Sequence, residues 1–156
     1  YFFPFSLALN AYLYKKDFKE AEKWMKVVAN KDGVPIWYKA AVSEMINQQG
    51  QRDTSIKYLE EELKGDLSPA VRASSEERLR ILLHEKYTEE IRNIREKFEQ
   101  NNNTSLSDIS EITIPYEDPW KQGWILAPDG KIRSLEMERR ERIKKRNQER
   151  ELLRKR

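Results

Sequence analysis

The chain has 156 residues, 38% of them apolar and 37% charged, with a formal net charge of +3. Those proportions fill one modest core and leave part of the chain outside it, and the lack of cysteine excludes a disulfide framework or a thiolate metal site. The basic excess is local: residues 134–156 hold ten Lys/Arg against five Asp/Glu, and the remainder is slightly acidic.

The first apolar stretch, Tyr1 to Tyr14, is interrupted by Pro4, Ser6 and Asn10 and is too short to span a bilayer. Without a methionine at its start the sequence reads as a trimmed fragment, so a membrane link is expected only through a segment upstream of Tyr1. Pro4 suits the first turn of a helix, and Phe5, Leu9, Tyr12 and Leu13 then share a face. After a turn at Lys15-Lys16-Asp17, Phe18, Ala21, Met25 and Val28 recur at three- and four-residue steps and predict a second helix ending near Asp32-Gly33. Pro35 restarts the chain; Trp37, Ala41, Val42, Met45 and Ile46 form a third stripe, stopped by Gln49-Gly50. Ile56, Leu59 and Leu63 form a fourth, closed by Gly65. Ser68-Pro69 supplies an N-cap and first-turn pair, and Leu79, Leu83, Tyr87, Ile91, Ile94 and Phe98 follow without a breaker, as one long helix or as two with a turn near His84.

A shift of 34 residues places Lys16 on Gly50, Ala21 on Ser55, Trp24 on Tyr58 and Met25 on Leu59, matching small residues to small and large to large. With these positions, and with Lys16-Asp17-Phe18-Lys19-Glu20-Ala21 as the turn and start of a second helix, the first hundred residues resemble the tetratricopeptide repeat family. The resemblance implies an α-solenoid fragment of helix-turn-helix units, with residues 68–100 as a degenerate third unit or cap. In that family the first helix of each unit lines a partner groove. Carried over, this implicates Ser6, Asn10, Leu13 and Tyr14, then Trp37, Ala40, Glu44, Asn47 and Gln48. Asn10 and Asn47 suit gripping the backbone of an extended peptide. Ser6 stands where a clamp for a terminal carboxylate would need a cation, which argues against that ligand.

Asn101-Asn102-Asn103-Thr104-Ser105 reads as a polar linker. Beyond it, Gly123 to Arg133 predicts a hairpin around the loop Ala127-Pro128-Asp129-Gly130, docked on a helical face by Trp120, Trp124 and Ile132. The run from Asp118-Pro119-Trp120 to Gly130 is similar to a tail in bacterial envelope-associated repeat proteins, which implies an envelope location. Residues 134–156 predict a solvent-exposed helix with acid-first pairs four apart, Glu136/Arg140, Glu138/Arg142, Glu141/Lys145 and Glu151/Lys155. Ile143, Leu152 and Leu153 are too sparse for a heptad seam, so self-association through this helix is an option and not an indication.

Chemistry is sparse. His84 is the only histidine, with no second histidine, cysteine or phosphate loop beside it, and reads as structural. Asp108, Glu111, Glu117 and Asp118 match no calcium loop. The expectation is a helical chain in three parts, a repeat domain at 1–100, a linker and hairpin at 101–133 and a charged helix at 134–156. It has no catalytic set, metal or cofactor and acts as a scaffold for a protein or peptide partner. The alternative is association with nucleic acid or anionic membrane through the tail, chiefly Arg150, Arg154, Lys155 and Arg156. Interleaved glutamates and the lack of aromatic residues in the tail weigh against it.

Overall fold

The computed structural model describes residues 2–31 and 33–154; Tyr1, Asp32, Lys155 and Arg156 fall outside them. The chain is 70% helical, an all-α architecture with six helices and two short strands among the described residues. It divides into two compact units between Leu83 and His84.

The first unit begins with α1 (Phe2–Asn10), which continues into one π-helical turn at Ala11–Lys15. Lys16 then takes a left-handed conformation (φ 56°), and its amide and that of Asp17 both donate to the Ala11 carbonyl. Asp17 caps α2 (Phe18–Ala29) by accepting from the Glu20 amide at 2.9 Å, satisfying one of the first-turn donors that a helix leaves orphaned. Helix α3 (Tyr38–Gln48) starts one residue after Trp37, so Trp37 sits in the turn instead of on the third helix. Gly50 (φ 74°) leads to α4 (Arg52–Lys64). The last carbonyls of α4 are met from the next helix: Arg72 donates to Leu63 O at 2.8 Å and Gly65 O at 3.1 Å.

Helices α1 and α2, α2 and α3, and α3 and α4 pack successively. Their core contains Ala8, Ala11, Ala21, Met25, Val28, Tyr38, Val42, Met45 and Ile46, with Phe5 stacked on Tyr38 at 5.3 Å. Burial repeats at the 34-residue offset. Ala8 and Val42 are both fully buried, as are Ala21 and Ser55, and Met25 and Leu59 are almost so. Trp24 and Tyr58 are both half-buried, while Lys16 and Gly50 both take positive φ. At the α3–α4 crossing Ser55 Oγ donates to the Ser43 carbonyl at 2.6 Å and lies 2.7 Å from Ser43 Oγ, so two buried hydroxyls satisfy each other at close approach.

Helix α5 (Pro69–Asn102) is one unbroken helix of 34 residues, which resolves the choice left open at His84. Towards its middle, Leu82 is buried with Ile56 and Leu59 in the first unit. Its second half serves the second unit, where Ile91 is buried with Leu106 and Ile132. The stretch expected as a linker instead ends this helix: Asn103 takes positive φ and the Thr104 amide donates to Glu99 O. A 3₁₀ turn at Ile109–Glu111 precedes an antiparallel hairpin, β1 (Trp124–Leu126) with β2 (Ile132–Ser134), in register Ile125 opposite Arg133. The Gly130 amide donates to Ala127 O and Gly130 has φ 78°, so the loop Ala127–Gly130 is closed by its glycine as the sequence implies. Strand β2 runs directly into α6 (Leu135–Arg154).

Candidate functional site

In the first unit the groove residues inferred from the repeat resemblance divide into open and committed positions. Ser6, Asn10, Leu13 and Tyr14 follow three- and four-residue steps along α1 and its π turn and are all exposed, Leu13 by 48% and Tyr14 by 80%. The Ser6 hydroxyl is spent on the Phe2 carbonyl at 2.9 Å. Trp37 is exposed by 44% and meets Phe5 edge-on at 5.9 Å, so its ring is partly a packing element. Ala40 and Asn47 are half-buried and Gln48 is exposed. Glu44 is the committed member: it accepts from Gln48 on its own helix and pairs with Arg78 of α5, so its carboxylate already has partners within the first unit. Phe2, Phe3 and Ile36, which the sequence reading did not single out, add exposed apolar surface.

The second unit holds the buried polar groups. His84 is 8% exposed; its Nε2 accepts the Ser134 amide at 3.2 Å, and its ring stacks on Trp124 at 5.5 Å and tilts against Trp120 at 5.7 Å. Burial lowers its pKa below the ordinary value of 6.5; Asp118 opposes that shift and Arg133 adds to it. The imidazole is thus held neutral and fully occupied as an acceptor. Asp118 is 2% exposed, and its carboxylate accepts the amides of Trp120, Gln122 and Gly123 at 3.3, 2.8 and 3.1 Å. This organises the turn in which Lys121 and Gly123 take positive φ. Trp124 Nε1 donates to Tyr116 O at 2.9 Å, and Tyr116 stacks on Tyr87 at 4.5 Å.

Arg133 went unnoticed in the sequence. It is 6% exposed and its guanidinium meets Asp129 of the hairpin loop and Glu138 and Glu141 of α6. Burial works against its charge, but the bonds to Asp129 and Glu141 outweigh that and raise its pKa. Glu138, itself buried, also accepts from Arg142 at 2.7 Å. The first turns of α6 are therefore part of the core, a correction to the free-standing helix expected from 134, and Glu141 turns to Arg133 instead of Lys145. The Glu136–Arg140 and Glu138–Arg142 pairs form at 2.8 and 2.7 Å, while Glu151/Lys155 lies outside the described residues, as do Lys155 and Arg156 of the basic tail. Arg150 and Arg154 are exposed.

The acidic stretch resolves into backbone caps. Asp108 accepts the Ser110 amide at 2.8 Å and Glu111 the Asp108 amide at 2.7 Å, a capping box, and hydrogen bonds from Ser110 and Ser107 hold the two carboxyls below their usual range. Among the described residues no group of three or more His, Cys, Asp or Glu is placed to hold a metal, and no helix is long and apolar enough to cross a membrane. Comparisons with protein-family profiles, with curated proteins and with solved structures found no match.

Proposed function

We propose that the chain is a non-enzymatic interaction scaffold of the tetratricopeptide type, whose first unit holds a protein or peptide segment along the exposed side of α1 and α3. The observation that carries this reading is the open face of α1 and its π turn: Asn10, Leu13 and Tyr14 remain exposed beside one another, although Leu13 and Tyr14 are residues a finished core would cover. The 34-residue recurrence of burial and of positive φ supports the repeat-like arrangement that would make this face a groove wall. An amide at Asn10 and another at Asn47 supply backbone-binding groups beside the apolar Leu13, Tyr14 and Trp37. In the second unit the buried His84, Asp118 and Arg133 are engaged in structural hydrogen bonds and ion pairs, which leaves no nucleophile and base poised together among the described residues and favours binding over catalysis.

The test is selection of binding peptides on the full chain from a random library, followed by affinity measurement with Tyr14→Asp and Asn47→Ala. Loss of at least tenfold in affinity for both supports the groove. Binding unchanged in these variants but lost with Lys19→Glu on α2 places the contact on the other side and rejects this reading.

A further inference from the structure

Beyond Glu141, α6 is exposed on every side to Arg154. Its arginines are sorted by the helix in a way that a charge count along the tail hides. Arg139, Arg142, Arg146, Arg150 and Arg154 recur at three- and four-residue steps, so a helix of 3.6 residues per turn puts them on one stripe. The structure shows part of this stripe directly as a shallow depression walled by Ile143, Arg146, Asn147 and Arg150. Glu141 and Glu151, with Lys144 and Lys145, fall on the opposite side, and Glu149 at the flank. The core-facing residues of the first turns, Glu138 and Glu141, hold Arg133, which turns Arg139 outward. Arg142 bonds Glu138 and remains 64% exposed, while Arg139, Arg146, Arg150 and Arg154 have no ion pair among the described residues.

We propose that this stripe binds the phosphate backbone of duplex DNA without reading its sequence. Every cation on the stripe is arginine, whose planar fork meets phosphate oxygens in pairs, whereas the lysines lie behind it. The stripe spans roughly 22 Å at 1.5 Å per residue, and a bare helix about 10–12 Å across fits the B-form major groove, about 12 Å wide. Single strands are bound by stacking on aromatic rings, and α6 has none. A-form RNA offers a deep, narrow groove that such a helix does not fit. An anionic bilayer would need an apolar face opposite the cations, and the side behind the stripe carries Glu141, Lys144, Lys145 and Glu151 around one leucine, Leu152.

The experiment is fluorescence anisotropy of the full chain with a mixed-sequence DNA duplex of roughly 20 base pairs across a salt series. Two double variants remove the same net charge, Arg146→Gln/Arg150→Gln from the stripe and Lys144→Gln/Lys145→Gln from behind it, with helicity checked by circular dichroism. The expected result is a loss of roughly tenfold or more for the arginine pair, with the salt slope falling by about 2, and a change under about threefold for the lysine pair. Equal losses for both pairs overturn the proposal, because the charge would then act as an unstructured cloud. It is overturned equally by tighter binding to single-stranded DNA, to phosphatidylserine-containing vesicles or to polyglutamate than to the duplex.

Discussion

Ser75 is fully buried and its hydroxyl has no hydrogen-bond partner among the described residues. A buried unsatisfied hydroxyl carries its desolvation penalty with no return, so Ser75→Ala should raise stability by about 1 kcal/mol in urea unfolding. Ser43 and Ser55, equally buried, bond each other, and Ser55→Ala should lower stability by a similar amount because it strands Ser43 Oγ. His84 supplies a pH dependence of definite sign. Its folded pKa is depressed, chiefly by burial, so the unfolded chain binds the proton more readily than the folded one. Its contribution is complete above the ordinary value of 6.5 and is lost as pH falls through 6.5 toward the folded value. As the only histidine it gives a single imidazole NMR signal, whose midpoint should lie below 6.5 in the native chain and return to it in urea.

At the scale of elements, the two equivalent turns solve one backbone problem with different residues. Gly50 adopts φ 74° with open space where a Cβ would stand, so Gly50→Ala should destabilise by about 1 kcal/mol through the backbone alone. Lys16 holds φ 56° despite its side chain, and Lys16→Gly should stabilise by roughly 0.5 kcal/mol, the relief of strain less the greater freedom of glycine when unfolded. In the second unit Arg133 binds the hairpin loop to α6. Arg133→Met removes the cation and leaves the buried Glu138 with Arg142 as its one remaining ion-pair partner among the described residues, a loss expected at about 2 kcal/mol in thermal or urea unfolding.

For the whole molecule, the division between Leu83 and His84 decides where the chain can be shortened. A chain ending at Arg133 lacks the Ser134 amide that His84 accepts, together with Glu138 and Glu141; the His84 signal should then titrate near the ordinary 6.5. A chain ending at Arg142 keeps all three, and its His84 midpoint should match that of the full chain. An unchanged midpoint in the shorter chain would show that Ser134 and α6 do not set the burial of His84.

Periodicity marked the helices of the first unit, because a stripe of apolar residues at three- and four-residue steps is a local property that a helix can bury, and acid-first charge pairs four apart marked α6. Pro4, Asp17, Gly50, Ser68-Pro69 and Pro128-Gly130 likewise marked helix ends and a hairpin loop, since capping and positive φ are decided within a few residues. The 34-residue offset was also legible in the sequence, and Ala21 and Ser55, which it pairs, are equally buried. Of the groove residues, the sequence could order Asn10, Leu13 and Tyr14 along one face but could not show that Glu44 is taken by Arg78, a partner 34 residues away. Arg133 and Asp118 were illegible for the same reason: a charge is retained in a core only by partners the tertiary fold delivers, here Glu138, Glu141 and the amides after Pro119. The sequence near His84 left open whether α5 was one helix or two, and it is one, with Leu82 and Ile91 in different core clusters. The arginine stripe of α6 lay in the residue numbers throughout. The tertiary structure decided which side of that helix meets the core and hence which charges face outward.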